Sequence, residues 1–215
     1  MKVNSYIDHT FLSAFATKND IIKCCEEAKK HQFFSICING SNILHAKAHL
    51  KGNTIAICTV VGFPLGATKK KVKLFETEMA LNDGADEIDM VLNIGNLKDK
   101  MYSKVQAEIS QLKKLTEKRI LKVIIENCYL TREEKIIACR ICQDSGADFV
   151  KTSTGFGSGG ATLEDVKLMA ETLKGITRIK ASGGIRDFET AKLFIENGAA
   201  RLGTSNSVAI VESQY

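Results

Sequence analysis

The chain has 215 residues, 44% of them hydrophobic and 26% charged, with a formal net charge of +5. That length accommodates one sizeable core in a single domain spanning 1–215, and the ordinary balance of residues excludes a disordered or fibrous chain. No apolar run approaches a membrane span, and Met1-Lys2-Val3-Asn4-Ser5 opens no apolar leader, so a cytoplasmic protein without membrane partners is expected.

Seven cysteines, an odd number without framework spacing, indicate free thiols in a reducing compartment. The positive charge comes from scattered lysines with one local run, Lys69-Lys70-Lys71-Val72-Lys73. Without interleaved aromatics or arginines, that run reads as a solvated helix face, and no nucleic-acid partner is expected. Mild basicity also suits an anionic small substrate.

In chain order, a strand is expected at Tyr6–Thr10, a helix at Asp20–Lys30, a strand at Phe33–Asn39 and a helix at Ser41–Leu50. Strand Thr54–Gly62 and helix Lys69–Asp83 follow, then strand Glu87–Asn93 and helix Leu97–Glu117. Strand Ile120–Glu126 precedes helix Arg132–Ser145, and strand Phe149–Thr154 precedes helix Leu163–Leu173. The last units are strand Arg178–Ser182 with helix Asp187–Glu196, and strand Arg201–Thr204 with helix Ser205–Glu212. Glycine marks several helix stops, as in Asn82-Asp83-Gly84, Asp144-Ser145-Gly146 and Glu196-Asn197-Gly198, where it takes the left-handed position after the helix. Glycine-alanine recurs there three times, each copy leading into a strand. Eight strand–helix units of roughly 27 residues predict a compact (β/α)8 barrel. A doubly wound open sheet is the alternative, disfavoured by the even spacing and the missing edge-strand signals.

Two lysines then stand out, in Phe149-Val150-Lys151-Thr152-Ser153-Thr154-Gly155 and Ile179-Lys180-Ala181-Ser182-Gly183-Gly184. Each sits in a buried-strand pattern, where an ammonium is costly to desolvate. In a barrel the active site lies at the C-terminal strand ends, and Asp89, Lys122, Lys151 and Lys180 fall there. If side chains of alternate strands share a layer, Asp89 and Lys151 occupy one layer, with Lys122 and Lys180 in the next. A purely structural ion cluster is one reading of these four residues. The functional reading has one lysine attack a carbonyl to form a Schiff base, an electron sink for carbon–carbon cleavage. The second lysine lowers the first one's pKa by like-charge repulsion, and Asp89 moves protons.

Gly155, Gly183-Gly184 and the Gly203-Thr204-Ser205-Asn206 turn follow three consecutive strands, and close backbone approach there suits phosphate. The expected substrate-binding set is Lys122, Thr154, Gly155, Gly183, Gly184, Ser205 and Asn206. The run Gly155-Phe156-Gly157-Ser158-Gly159-Gly160 misses dinucleotide-loop spacing.

At these residues the chain resembles the deoxyribose-phosphate aldolase family, class I aldolases on a (β/α)8 barrel. The matching segments are Ile7-Asp8-His9-Thr10, Cys58-Thr59-Val60-Val61-Gly62-Phe63-Pro64-Leu65-Gly66, Gly84-Ala85-Asp86-Glu87-Ile88-Asp89-Met90-Val91 and Leu121-Lys122-Val123-Ile124-Ile125-Glu126, together with both lysine segments and Gly183-Gly184-Ile185-Arg186. The resemblance implies reversible cleavage of 2-deoxy-D-ribose 5-phosphate to D-glyceraldehyde 3-phosphate and acetaldehyde, with neither metal nor organic cofactor and commonly in a homodimer. It also implies Lys151 as the Schiff-base lysine, Lys180 as the second catalytic lysine, Asp89 as the proton relay, and phosphate contacts at Gly155, Gly183, Gly184 and Ser205. The chain departs from the family pattern at Cys37-Ile38-Asn39-Gly40, Leu12-Ser13-Ala14, Asn127 and Asn206, none of them a catalytic position. A different Schiff-base aldolase and a non-catalytic anion-binding barrel are the rival readings.

Other residues read more plainly. Cys139-Arg140-Ile141-Cys142 has CxxC spacing but no second pair, so structural thiols are expected. His45 and His49 share a helix face without a further ligand nearby. Cys37, near the end of the second strand, is a candidate target for reactive aldehydes if it reaches the pocket. Tyr215, at the terminus, is either frayed or brings a phenol over the barrel mouth.

Overall fold

The structure is a computed structural model that describes residues 2–175 and 177–214; the expectation for Tyr215 lies outside them. Alternation along the strands decides the architecture. In Glu87-Ile88-Asp89-Met90 the apolar residues point outward into the main core and the acids point into the barrel. Eight parallel strands build the barrel: β1 (Ile7–Phe11), β2 (Ser35–Ile38), β3 (Ala56–Val61), β4 (Glu87–Val91), β5 (Ile120–Ile124), β6 (Phe149–Lys151), β7 (Arg178–Ser182) and β8 (Ala199–Thr204). They pair in sequence order and close, with Ile7, Asp8 and His9 of β1 opposite Leu202, Gly203 and Thr204 of β8. Closure excludes the doubly wound alternative.

The connecting helices are α1 (Lys18–His31), α2 (Ile43–His49), α3 (Lys70–Asp83), α4 (Ile94–Lys98), α5 (Tyr102–Thr116), α6 (Arg132–Asp144), α7 (Leu163–Leu173), α8 (Phe188–Glu196) and α9 (Ser207–Glu212). Their starts are locally encoded. Thr17 and Thr131 form capping boxes with Asp20 and Glu134, while the Thr162 and Asp187 side chains accept from the N–H groups of Asp165 and Thr190. Outward strand residues such as Ile36, Met90 and Val123 pack with Ile21, Ile109 and Met169 of the helices. Among the described residues no helix is long and apolar enough to cross a membrane.

Most boundaries lie within two residues of expectation, and three differences stand out. The single helix expected over Leu97–Glu117 is two. Asn93 caps the short α4, Lys100 turns left-handed at φ 57°, and α5 then restarts at Tyr102. No glycine or proline marks that break, so periodicity ran through it. The sixth strand stops at Lys151 rather than Thr154, because Thr154 is drawn off by Glu126. The last helix begins at Ser207, two residues later than expected.

Candidate active site

The inward face of the barrel is charged. Three carboxylates, Asp8, Glu87 and Asp89, meet four cations, Lys122, Lys151, Lys180 and Arg201, and all seven are buried. Asp89 is the hub. Its Oδ1 accepts from Lys122 Nζ at 2.7 Å and from the Cys58 thiol at 3.1 Å. Its Oδ2 accepts from Lys180 Nζ at 2.7 Å and from Lys151 Nζ at 2.9 Å. The expected separation of Lys151 and Lys180 into different layers is therefore corrected. The two are register partners on adjacent strands, and four-carbon stems carry both amines to one carboxylate oxygen.

Below the hub, Lys122 pairs with Glu87 at 2.6 Å and Lys180 with Asp8 at 2.5 Å. Arg201 forms the floor: its Nε donates to Asp8 Oδ1 at 2.7 Å, and its Nη2 donates to Asp8, to Glu87 Oε2 at 2.9 Å and to Ser35 Oγ at 3.2 Å. Burial alone would raise the Asp89 and Asp8 carboxyls. The lysines around Asp89 overcome it and hold that group well below the usual carboxylate range. Lys180 and Arg201, followed by Lys122, do the same for Asp8. Conversely, burial opposes but does not outweigh the carboxylates that push Lys122 and Lys180 above the ordinary lysine value. Both are fixed ammonium groups. Burial also raises the Cys58 thiol, which stays protonated as a donor to Asp89.

The three carboxylates are balanced by Lys122, Lys180 and Arg201 alone. Lys151 is the fourth cation, one more than the three carboxylates. It is also the lysine that opens outward. A cavity of about 320 Å³ at the C-terminal mouth is lined by Lys151, Thr154, Gly155, Ser182, Gly183, Gly184, Arg186, Ser205 and Asn206, among others. Its charged lining residues are Lys151 and Arg186, both cationic, so the cavity suits an anion. The loops around it are held tightly. Gly183 has φ 83°, and a β-carbon on Gly160 would lie 2.3 Å from the Gly183 carbonyl oxygen, so the β6–α7 and β7–α8 loops touch backbone to backbone.

Of the expected binding residues, Thr154, Gly155, Gly183, Gly184, Ser205 and Asn206 line this cavity. Lys122 does not: it is wholly buried, with Glu87, Asp89 and Cys58 around its amine, and its position is that of a support beneath Asp89. Sequence reasoning gave no role to Asp8, Glu87 or Arg201. The signal for Glu87 was present, since it stands two residues before Asp89 on a strand. Glu126 was also missed. It is buried in a left-handed conformation at φ 51°, its Oε1 accepts from the Thr154 N–H at 3.1 Å, and its Oε2 accepts from the Thr154 hydroxyl.

The remaining candidates have structural settings. Cys139 and Cys142 face the core from α6, and burial pushes the Cys139 thiol up to about 12. His49 Nδ1 donates to the His45 carbonyl at 2.9 Å instead of pairing with the His45 ring. Cys37 is fully buried beside Leu12, Cys58 and Val60 and does not line the mouth cavity. Cys37, Cys58 and Asp89 place two sulfurs and a carboxylate oxygen within 4.8 Å of one another, but the Asp89 oxygens already accept from three ammonium groups.

A closed parallel barrel with this cluster opening at its C-terminal mouth defines the class, a (β/α)8-barrel enzyme. A family model described as DeoC/LacD family aldolase matches residues 2–202, and the chain belongs to that family. It is 53% identical over 212 residues to a deoxyribose-phosphate aldolase of Finegoldia magna, covering 99% of this chain and 100% of that one. It is 52% identical over 216 residues to a deoxyribose-phosphate aldolase of Thermococcus gammatolerans, covering 99% and 96%. The solved deoxyribose phosphate aldolase of Aeropyrum pernix, described as having a unique tetrameric structure, superposes with a TM-score of 0.92 at 32% identity, covering 99% of this chain and 90% of that one.

Proposed function

We propose that this aldolase cleaves 2-deoxy-D-ribose 5-phosphate to D-glyceraldehyde 3-phosphate and acetaldehyde through an imine on Lys151, without metal or organic cofactor. One observation carries the assignment: among the three lysines at Asp89, Lys151 is the one that lines the mouth cavity and the one the buried carboxylates do not need. The Lys151 amine adds to the C1 aldehyde of the open-chain sugar. Water leaves the carbinolamine, and the iminium nitrogen draws electrons from C2. The C3 hydroxyl gives up its proton, the C2–C3 bond breaks, and its electron pair becomes the enamine. Glyceraldehyde 3-phosphate departs, C2 takes up a proton, and hydrolysis releases acetaldehyde and the free amine.

Asp89, held as a carboxylate against Lys151, lies in reach of the nitrogen that loses and regains protons. Lys180 supplies a permanent positive charge at the same oxygen and is too tightly paired with Asp8 and Asp89 to attack. At the other end of the cavity, Gly155, Gly183, Gly184 and Ser205 with Arg186 form the phosphate end of the site. The close relatives' names and the cationic cavity lined by both Lys151 and the Ser205 turn support this substrate. We further propose a homodimer in the cytoplasm serving deoxyribose phosphate catabolism; the free thiols at all seven cysteines fit a reducing compartment.

Borohydride reduction in the presence of substrate, followed by peptide mass spectrometry, tests the reading. An acetaldehyde-derived adduct on Lys151 is expected. An adduct confined to Lys180 overturns the assignment.

A further inference from the structure

Two phenylalanines meet across the mouth of the barrel. Phe63 follows β3 and Phe156 follows β6, and their rings touch edge to face, centroids 5.3 Å apart and planes at 87°. In the closed ring, β4 and β5 stand between β3 and β6. The contact is therefore a chord over one side of the mouth, above the strands that carry Asp89 and Lys122. Both loops are fixed at their bases. The Gly62 N–H donates to Glu76 at 2.8 Å, and the Gly66 N–H returns to the Gly62 carbonyl at 2.7 Å. A β-carbon on Gly66 would collide with the Leu92 carbonyl oxygen just beyond β4, so this loop lies tight on its neighbour. On the other loop the Phe156 N–H donates at 3.0 Å to the Thr154 hydroxyl, which Glu126 holds.

The chord separates a closed side from an open one. Beneath it Phe63 packs against Leu12, Cys37, Cys58 and Val60, and the Cys58 thiol donates to Asp89. Asp89 has no exposed surface and does not line the mouth cavity, although Lys151, which it touches, does. Phe156 lines that cavity. Among the described residues, the rest of its lining comes mainly from the ends of β1, β7 and β8, and none from β4 or β5. The entrance therefore lies opposite Asp89, on the side of the phosphate end.

We propose that Phe63 and Phe156 form a fixed apolar roof that keeps water from the enamine carbon while the acceptor aldehyde is bound. The pair thereby sets how the enamine divides between carbon–carbon bond formation and protonation. The inference rests on the imine chemistry proposed above and deepens it. C2 of the enamine lies two bonds from the Lys151 nitrogen, beside the cavity that Phe156 lines, and it has two fates. Its electron pair can attack the carbonyl carbon of glyceraldehyde 3-phosphate, forming the C2–C3 bond while the carbonyl oxygen takes up a proton. Alternatively C2 takes a proton, and hydrolysis of the resulting iminium releases acetaldehyde. An acceptor seated toward the phosphate end fills the entrance, and the roof closes the opposite side. Water then reaches C2 only after the acceptor has left. Neither ring carries an exchangeable proton, so both act by exclusion.

Acetaldehyde in D2O with saturating glyceraldehyde 3-phosphate tests the roof on the wild type, Phe156→Ala, Phe63→Ala, the double variant and Phe156→Tyr. Nuclear magnetic resonance reads deuterium entering the acetaldehyde methyl group against formation of 2-deoxy-D-ribose 5-phosphate. Each alanine variant is expected to raise the ratio of exchange to condensation by about tenfold or more. The double variant should match the larger single effect, because one missing ring already breaks the chord. Phe156→Tyr should keep the wild-type ratio. A merely structural role lowers both rates together, so a ratio that is unchanged or falls in the alanine variants overturns the roof. Single effects that multiply in the double variant also overturn it. A wild type that neither exchanges the methyl hydrogens nor is trapped by borohydride overturns the imine reading itself, and the roof with it.

Discussion

Lys151 and Lys180 are register partners on adjacent strands and donate to the same oxygen of Asp89, at 2.9 and 2.7 Å. Yet they differ in what lies on their other side. Lys180 continues inward to Asp8, whereas Lys151 faces the mouth cavity. One amine lies between two carboxylates, and the other lies between one carboxylate and the cavity.

This asymmetry predicts that Lys151→Arg folds normally but loses activity by roughly 10⁴-fold or more, because a guanidinium keeps the charge and cannot form the imine. Steady-state assay beside borohydride trapping checks it. Retention of a tenth of the activity would favour a role in which only the charge matters.

Removing the floor has a different signature. Arg201→Met leaves Asp8 and Glu87 without the guanidinium that hydrogen-bonds both, and a broken buried pair costs about 3–5 kcal/mol. Urea unfolding should report that loss at neutral pH. A change near zero would show that water or the neighbouring lysines replace the guanidinium.

The pKa directions set a pH window. Asp8 and Asp89 are depressed on folding, so their stabilisation is fully present above the ordinary aspartate value of 3.8 and is lost as pH falls toward their folded values. Lys122 and Lys180 are raised, so their contribution is present below 10.5 and lost as pH rises through their folded values. His9, which burial lowers from 6.5 despite Glu27, opposes folding on the acid side of that value. The buried Cys58 and Cys139 thiols, raised by burial from 9.0, oppose folding above that value. Urea midpoints should therefore be highest between about pH 7 and 9, decline gently below 6.5 and steeply below 4. His9→Gln should remove the gentle decline and leave the steep one.

Glu126→Gln tests the hold on the β6–α7 loop. The carboxylate accepts both the N–H and the hydroxyl of Thr154, and the hydroxyl in turn accepts from the Phe156 N–H at 3.0 Å. Weakening this clamp misplaces Gly155 at the phosphate end. Turnover per KM should fall about ten- to a hundredfold, chiefly through KM, while trapping at Lys151 with saturating substrate persists. A drop in kcat alone would place Glu126 in the chemistry instead.

Much of this was legible beforehand, for local reasons. Strand alternation and glycine after the helices mark eight units without any long-range information, and both lysines announce themselves as charges within apolar runs. What sequence could not convey is convergence. Asp8 and Arg201 are 193 residues apart, and nothing local in either strand shows that they share hydrogen bonds. Layer counting from strand parity also failed for Lys180, because it places α-carbons while a lysine amine reaches past its own layer. The break at Lys100 was hidden for the opposite reason, since its left-handed turn is made by an ordinary residue.

The bond from Asp8 to Arg201 joins the first strand to the last. Until the ring is complete, Asp8 of β1 and Glu87 of β4 lack the guanidinium that β8 brings to both. A nascent or clipped chain lacking β8 would therefore hold Lys180 against an Asp8 that has lost its other cation, in a trough that water can enter. The full set of buried ion pairs thus exists only once β8 has joined the barrel. The seam where the barrel zips shut acts as an inspection point, and a fragment that passes for folded by its helices would still lack the guanidinium that joins Asp8 to Glu87.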